Sequence, residues 1–205
     1  MKKILFCNIP VRKDLYKRVY DYDDSSISIS DRAVVYPINA FLEKNLSENE
    51  ELKIVLLVKK NDYSYYQQNV EVFKQEFSAI SQGKNIRVSF STIETDYFET
   101  KITHDTLLMG IIDEFEQNAH IIADITYGPK DLPIVLFTAL HFAEKFLQCD
   151  IDNIFYGRAD FVNKKPVNTQ LCDMTPLYYI NSLTHTLECS SVDEAKTLLK
   201  SLLSV

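Results

Sequence analysis

The sequence predicts an α/β fold, in which a mostly parallel β-sheet has helices on both faces. Short apolar runs alternate with segments of helical length along most of the chain, and this alternation indicates βαβ units. Most of the runs are apolar at nearly every position, which is typical of strands covered on both sides. We therefore expect a Rossmann-like domain over residues 1–165, followed by a C-terminal strand and helical extension over residues 166–205.

Five segments have the composition and length of strands, and a sixth strand is expected around residues 167–172. The third segment alternates apolar and polar residues, so we expect it nearer an edge of the sheet. The five are ILFCNI (4–9), LKIVLLV (52–58), IRVSFST (86–92), HIIADIT (120–126) and NIFYG (153–157).

Helices are predicted between these strands and after them. Pro37 is compatible with a helix only in its first turn, and side-chain caps are expected at several helix starts. The segments are 34–46, 64–80 (capping box Ser64 and Gln67), 103–118 (N-cap Thr103), 132–147, a helix from Thr175-Pro176, and a last one after the Ser191 and Glu194 capping box. Residues 10–33 are polar and weakly periodic, and we interpret them as a long loop with at most one helical turn.

Composition and charge exclude several classes of protein. The 205 residues are 46% hydrophobic and 25% charged, which is ordinary for a globular domain. The net charge of −7 argues against binding of long duplex nucleic acid, although a local basic pocket for a small anion stays open. The four cysteines show no CxxC spacing and are interpreted as reduced thiols. No signal peptide or membrane span is expected, so we predict a cytoplasmic protein.

The fold itself predicts where a ligand binds. In an open parallel sheet, ligands bind beyond the carboxyl ends of the strands, near the point where the strand order reverses. That rule nominates Asn8-Ile9-Pro10 after the first strand, residues 124–131 after the fourth, and Tyr156-Gly157-Arg158 after the fifth. We expect these three strand tips to meet at one edge.

The turn ADITYGPKDLP (123–133) has features of an anion site. Gly128 can adopt a backbone angle that other residues avoid, and Asp131 is a candidate cap for the following helix. Lys130 would then lie beside free N–H groups at the positive end of the helix dipole, with the Thr126 hydroxyl as another donor. The alternative is that these residues only form the turn. The turn has neither GxGxxG nor GxxxxGK[ST] spacing, so NAD and ATP are not indicated.

Three segments resemble the CRISPR-associated Rossmann fold (CARF) family. DITYGPKDLPIVLFTALHFAEK resembles that family's Asp-Ile-Thr-His-Gly-x-Arg-x-Leu-Pro segment, NIFYGRADF its strand ending in Tyr-Gly, and YPINAFLEKNLSENEELKIVLLVKK its early helix and second strand. The chain departs from the pattern at Tyr127, where the family often has His, and at Lys130, where it often has Arg. The first strand ends in Asn-Ile-Pro rather than in a turn rich in Gly, Ser or Thr.

The resemblance implies a homodimer with one composite pocket for a cyclic oligoadenylate, the second messenger of type III CRISPR antiviral defence. By position, the pocket would be lined by two stretches, Asn8-Ile9-Pro10 and Gly128-Pro129-Lys130-Asp131. The remaining rim residues Asp124, Thr126, Tyr127, Tyr156, Gly157 and Arg158 are candidate ligand contacts.

Some members of the family are ring nucleases that cleave the messenger without a metal or cofactor. Such cleavage needs an in-line ribose 2′-OH and a cation that stabilises developing negative charge. We expect Lys130 to supply that charge and Asn8 to orient the hydroxyl or a phosphate oxygen, with a pure binding role for Lys130 as the alternative. A non-enzymatic sensor that signals to a separate effector protein also stays open, as does an unrelated α/β protein that binds another small anion or serves in an assembly.

Other features carry weaker hypotheses. Tyrosines could stack on adenines, although packing is the commoner role; they are Tyr16, Tyr20, Tyr22, Tyr127 and Tyr156. His141 and Glu144 share a helix face on an apolar background and do not indicate a metal site. Asp21, Asp23 and Asp24 are interpreted as a solvated loop. Because helix 132–147 is apolar on several sides, we expect it to be covered by more than the sheet, as in a twofold dimer.

Overall fold

The computed structural model describes residues 2–22, 27–61, 65–163 and 165–203, and it has the predicted α/β architecture. The chain forms two compact units, Met1–Thr175 and Pro176–Val205. The last strand belongs to the first unit, which therefore extends beyond the boundary expected at residue 165. No helix among the described residues is long and apolar enough to cross a membrane.

The first unit contains a six-stranded sheet in the order β3-β2-β1-β4-β5-β6. The strands are β1 (Lys2–Asn8), β2 (Glu51–Lys60), β3 (Arg87–Asp96), β4 (His120–Asp124), β5 (Asp150–Val162) and β6 (Lys165–Asp173). The first five are parallel, and β6 runs antiparallel to β5. Strand β3 lies at an edge, as its alternating sequence predicted. The strand order reverses between β1 and β4, so the switch point of the sheet lies at their carboxyl ends.

Helix pairs cover the two faces of this sheet. The helices are α1 (Pro37–Asn45), α2 (Tyr66–Ser81), α3 (Lys101–Glu114), α4 (Asp131–Leu147), α5 (Thr175–Thr186) and α6 (Val192–Leu203). Leu5 and Cys7 of β1 belong to a core shared with α1 and α2. Phe6, between them, packs against Phe115 just beyond α3, with ring centroids 5.2 Å apart. Because neighbouring strand residues point to opposite faces, α1/α2 and α3/α4 lie on opposite sides.

Several helix boundaries differ from the sequence prediction. Helix α3 begins at Lys101 and ends at Glu114, and its N-cap is Thr100, whose hydroxyl accepts the Thr103 N–H at 3.2 Å. The prediction of Thr103 as the cap is wrong because the nearby Thr100 supplies the hydroxyl one turn earlier. Before α2 the N-cap is Tyr65, without a side-chain cap, and the predicted Ser64 lies outside the described residues.

The last predicted capping box is present in altered form. The Ser191 hydroxyl accepts the Glu194 N–H at 3.2 Å, as predicted. The Glu194 carboxylate, however, accepts the N–H of Ser190 at 3.0 Å rather than that of Ser191. The reciprocal bond is therefore shifted by one residue toward the amino terminus.

Candidate functional site

A cavity of about 370 Å³ opens at the carboxyl ends of β1, β4 and β5. It lies where the sheet topology predicted a ligand site, at the reversal of strand order. Its lining comes from all three predicted strand tips, from the loop after β1 and from the loop after β3. The lining residues are Pro10, Val11, Arg12, Arg18, Tyr97, Thr126, Tyr127, Gly128, Pro129, Tyr156, Gly157, Ala159 and Phe161.

The structure separates the predicted site residues into two groups. Seven of them line the cavity: Pro10, Thr126, Tyr127, Gly128, Pro129, Tyr156 and Gly157. The other six lie outside its lining: Asn8, Ile9, Asp124 and Asp131 are buried, and Lys130 and Arg158 are exposed. Arg158 is 3.4 Å from the Asp160 carboxylate. Lys130, which the sequence nominated for catalysis, lies at the solvent-exposed beginning of α4.

Gly128 is required in this turn for two separate reasons. Its φ angle is +86°, which residues with a side chain rarely adopt. A Cβ atom at this position would also lie 2.5 Å from Leu132 Cδ1. The backbone of the turn therefore packs directly on the first turn of α4, and the prediction of an unusual backbone angle is confirmed.

Thr126 connects the end of β4 to the middle of β5, because β5 continues to Val162 and not only to the predicted end at Gly157. Its hydroxyl accepts the Gly157 N–H at 2.8 Å, and its own N–H donates to Asp124 Oδ1 at 2.8 Å. Gly157 lies so close to Pro37 that an added Cβ would overlap the proline ring. The end of β4, the middle of β5 and the beginning of α1 therefore form one tightly packed floor beneath the cavity.

Asp124 stabilises this floor from below. Its carboxylate is buried, and Oδ2 accepts the Ile38 N–H at 3.3 Å in the first turn of α1. Burial raises the pKa of Asp124 to about 6, and the hydrogen bonds from Thr126 and Ile38 oppose that rise. A carboxylate at the positive end of a helix is favourable, so Asp124 has a clear structural role behind the rim.

Asp131 does not cap α4 as the sequence suggested. The N-cap position is Lys130, which makes no side-chain cap hydrogen bond. The Asp131 carboxylate instead points into the protein, where its Oδ2 is 2.6 Å from Nζ of the fully buried Lys59. His104 Nε2 approaches the same oxygen at 3.5 Å. Sequence alone could not reveal this pair, because Lys59 ends an otherwise ordinary strand far away in the chain.

Asn8 is buried beside the glycine turn. Its Cβ atom is 3.8 Å from the position where a Gly128 Cβ would lie. Neither its amide nitrogen nor its amide oxygen has a hydrogen-bond partner among the described residues. An unsatisfied buried polar group costs about 1–3 kcal/mol, so an amide at this position needs an explanation other than folding stability.

Arg12 and Arg18 are functional candidates that sequence reasoning missed. Both line the cavity, and both come from the loop after β1. Arg12 lies over the Tyr127 ring at 5.7 Å, and Arg18 lies over the Phe161 ring at 5.5 Å. A signal was present, since residues 11–18 (VRKDLYKR) carry four basic residues and one acidic residue in a chain of net charge −7.

The loop that carries these arginines is attached to its surroundings at several points. Asn69 of α2 donates its side-chain N–H groups to the carbonyls of Pro10 and Arg12, at 2.6 and 3.0 Å. Arg18 and Val34 exchange both backbone hydrogen bonds at 2.8 Å. The described part of the loop contains no helical turn, and its conformation is set by these tethers.

Aromatic side chains complete the cavity wall. Tyr97, Tyr156 and Phe161 line it and keep part of their surface exposed. Among the predicted stacking tyrosines, Tyr20 and Tyr127 are buried, and the Tyr127 hydroxyl donates to the Val35 carbonyl at 2.7 Å. Tyr16 lines a neighbouring depression with Phe161, Tyr22 is half-buried, and Tyr156 remains the predicted tyrosine best placed to contact a ligand in the cavity.

His141 and Glu144 of α4 lie outside the cavity lining. His141 Nδ1 is 3.8 Å from Glu144 Oε2 on one face of α4. Within residues 2–22, 27–61, 65–163 and 165–203, no three His, Cys, Asp or Glu side chains are grouped as for a metal ion. Asp23 and Asp24 of the predicted acidic loop lie outside the described residues.

Comparison with known proteins finds no matching family model and no matching curated protein. The arguments for function therefore come from the cavity and from the motif in the turn after β4.

Proposed function

We propose that this chain is a CARF protein that binds a cyclic oligoadenylate in a pocket shared by two copies. One observation carries the proposal. The turn of the Asp-Ile-Thr-x-Gly-x-Lys-x-Leu-Pro segment, the tip of β1 and residues 156–161 of β5 line a single cavity at the switch point of the sheet. The turn after β4 and the β5 segment are two of the segments that resemble the CARF family, whereas the tip of β1 departs from the family pattern.

The chemistry of the cavity favours a nucleotide over an apolar ligand. Arg12 and Arg18 provide positive charge for phosphodiesters. The exposed faces of Tyr97, Tyr156 and Phe161 suit purine bases, which stack on aromatic rings and on guanidinium groups.

The size of the cavity supports a composite pocket. Its volume of about 370 Å³ is near the lower end of the range of about 300–1,000 Å³ for small-molecule sites. A ring of four or six nucleotides exceeds it, so each copy would hold part of the ring, and a symmetric ring suits a twofold interface. Helix α4 also leaves Ile134 and Phe146 exposed by 68% and 60%, which supports its covering by a second copy.

A purely binding role is the form of the proposal that the geometry favours. Lys130 does not line the cavity of a single chain, so its contact with the ligand would depend on the assembled dimer. Helices α5 and α6 carry exposed apolar residues, among them Leu177 and Val192, to which a separate effector protein could bind. We therefore propose binding of the cyclic oligoadenylate without cleavage as the leading function, and cleavage as the second.

Ring cleavage is the second candidate. In that reaction the ribose 2′-oxygen bonds to phosphorus, the bond to the 5′-oxygen breaks, and the 2′ proton passes to the departing oxygen. The Asn8 amide, buried and unsatisfied beside Gly128, is the observation that favours a polar contact with a reacting group at this edge. Lys130 would stabilise the charge that develops.

Calorimetry with cyclic tetra- and hexa-adenylate tests binding, and chromatography of the products tests cleavage. We expect one of the two rings to bind with one ring per two chains and to raise the melting temperature. Linear adenylates and ATP serve as ligand controls, and light scattering gives the oligomeric state. Absence of binding of both rings at micromolar concentration would overturn the proposal and favour a different small anion.

Two variants separate sensing from cleavage. Lys130→Met and Asn8→Leu should abolish linear products if the protein is an enzyme, while Lys101→Met should leave them unchanged. Lys101 is a suitable control because it is exposed near the beginning of α3 and contacts only Asp105, at 2.6 Å. Intact ligand recovered from tightly binding wild-type protein would assign the protein as a sensor.

A further inference from the structure

We propose that Arg18 is the principal phosphate-binding residue of this cavity, a role that the sequence had assigned to Lys130. The inference rests on the proposed function for the identity of the ligand, and it extends to any nucleotide with an accessible phosphate. Three properties of Arg18 support it: a buried charge without an ion-pair partner among the described residues, its position in the cavity wall, and a backbone that is already held in place.

The first property is the lack of a partner. Arg18 is only 7% exposed, and neither Nε nor Nη2 has a hydrogen-bond partner among the residues that the structure describes. No carboxylate of the described ranges lies within ion-pair distance of it. The buried Lys59, by contrast, is 2.6 Å from Asp131. Because a buried charge without a counter-charge is costly, an anionic ligand is the natural partner of Arg18.

The second property is the position of the Arg18 guanidinium in the cavity wall. Arg18 lines the cavity and lies over Phe161, 5.5 Å from the ring centroid. Stacking occupies the face of the guanidinium plane, whereas its N–H donors lie around the edge. Those donors suit an oxyanion that accepts two parallel hydrogen bonds, as phosphate does. Thr126 and the Gly128-Pro129 turn line the same cavity.

The third property is preorganisation. Arg18 exchanges two backbone hydrogen bonds of 2.8 Å with Val34, on the segment before α1. Three residues later, Asp21 bonds to the β6 backbone through Thr169 and Leu171, at 3.0 and 2.8 Å. The chain on both sides of the guanidinium is thus anchored before a ligand arrives, which lowers the entropy cost of binding.

Arg12 is the matched comparison inside the cavity. It lies over the Tyr127 ring at 5.7 Å and also lines a neighbouring, more open depression with Tyr16 and Phe161. A cation in contact with solvent is screened and contributes less than a buried one. We therefore expect Arg12 to assist binding and Arg18 to dominate it.

Calorimetry on four proteins tests the inference: wild type, Arg18→Lys, Arg18→Met and the control Arg87→Met. Arg87 is exposed at the amino end of β3, on the opposite edge of the sheet, and is 3.5 Å from Glu51. The control removes the same charge far from the cavity. The four ligands are the cyclic ring, tested as both tetra- and hexa-adenylate, a 5′-phosphorylated adenylate dinucleotide, inorganic pyrophosphate, and malonate as a carboxylate of similar charge.

We expect Arg18→Met to weaken binding of the phosphate ligands by about 10- to 100-fold, the range that corresponds to one lost hydrogen bond between charged groups. Arg18→Lys should give an intermediate loss because lysine keeps the charge but not the planar fork. Arg87→Met should bind as the wild type does. The melting temperature of ligand-free Arg18→Met should not fall markedly, because Nε and Nη2 of Arg18 have no hydrogen-bond partner to lose among the described residues.

The outcomes separate this inference from the proposed function. Arg18-dependent binding of the dinucleotide or pyrophosphate without binding of the cyclic ring would overturn only the proposed function. Tight ring binding that is equal in wild type and Arg18→Met would overturn only the inference. A marked loss of stability in ligand-free Arg18→Met would show that Arg18 serves to stabilise the fold, which overturns the inference. A preference of the wild-type protein for malonate over pyrophosphate would exclude phosphate as the ligand of Arg18 and would also overturn the inference. Failure to bind any of the four ligands overturns both proposals.

Discussion

Substitution of Gly128 by alanine tests the packing of the turn after β4. Gly128→Ala should destabilise the protein for two reasons that the chain allows to be measured separately. The new side chain would occupy a backbone with φ of +86°, and its Cβ would lie 2.5 Å from Leu132 Cδ1. Gly83 supplies the control, since its φ is +82° but nothing lies within 4 Å of its Cβ position.

The expected magnitudes follow from these two differences. A left-handed backbone costs a residue with a side chain about 1–2 kcal/mol, so Gly83→Ala should lower the free energy of unfolding by that amount. Displacement of a packed side chain such as Leu132 adds about 1–3 kcal/mol, so Gly128→Ala should cost about 2–5 kcal/mol. A domain of ordinary stability remains folded after such a loss.

Urea unfolding followed by circular dichroism measures both effects at constant m-value. The variant Leu132→Val removes the δ carbons that would collide with the new Cβ, and it completes a double-mutant cycle. In that background Gly128→Ala should cost only as much as Gly83→Ala. An equal cost of the two glycine substitutions in the wild-type background would refute the role of Leu132, and an unchanged stability of Gly128→Ala would refute the strained backbone.

Three further predictions concern the supports of the cavity. Burial raises the pKa of Asp124 from 3.8 to about 6, so the fold binds a proton more tightly than the unfolded chain does. The free energy of unfolding should therefore fall as pH rises from about 4 through 6, by up to about 3 kcal/mol from this group, and level off above. Urea midpoints between pH 4 and 8 measure this slope, and Asp124→Asn should remove it; parallel curves for the two proteins would contradict the assignment. Lys59→Met should lower the free energy of unfolding by about 3–5 kcal/mol, because it leaves Asp131 buried without a counter-charge. The double variant Lys59→Met/Asp131→Leu should recover most of that loss. Equal urea midpoints of the single and double variants would argue against a stabilising ion pair between Lys59 and Asp131. Asn69→Leu removes the hydrogen bonds to the Pro10 and Arg12 carbonyls, which should cost about 1–3 kcal/mol and speed hydrogen exchange in residues 10–13; unchanged exchange would show that the loop is held elsewhere.

The asymmetry between the two lysines of this edge has a physical origin. Lys59 is fully buried because it ends β2 beneath the first turn of α4, where Asp131 offers a carboxylate. Lys130, one residue before Asp131, points to solvent. The sequence alone does not indicate which of the two lysines is buried and which is exposed. Only the direction in which α4 leaves the sheet decides which of them faces the protein.

The glycine turn and the strand tips were accessible to sequence reasoning because their signals are local. Apolar runs have the period of a strand or a helix, and a glycine between a strand and a helix marks a backbone that other residues cannot adopt. The architecture, the edge position of β3, the place of Pro37 in the first turn of α1 and the positive φ of Gly128 all followed from such patterns.

The composition of the cavity depended on contacts between residues that are distant in sequence. Arg18 meets Phe161 only because the loop after β1 bonds to β6 and because β5 continues beyond the end of β4. A loop has no periodic signal, so its side-chain directions follow from its tethers and not from its own residues. For the same reason the partner of Asp131 and the burial of Asn8 became visible only in the folded chain. The sequence by itself therefore determined the layers of the fold and the edge at which the cavity lies, while the tertiary structure decided which charged groups face that cavity.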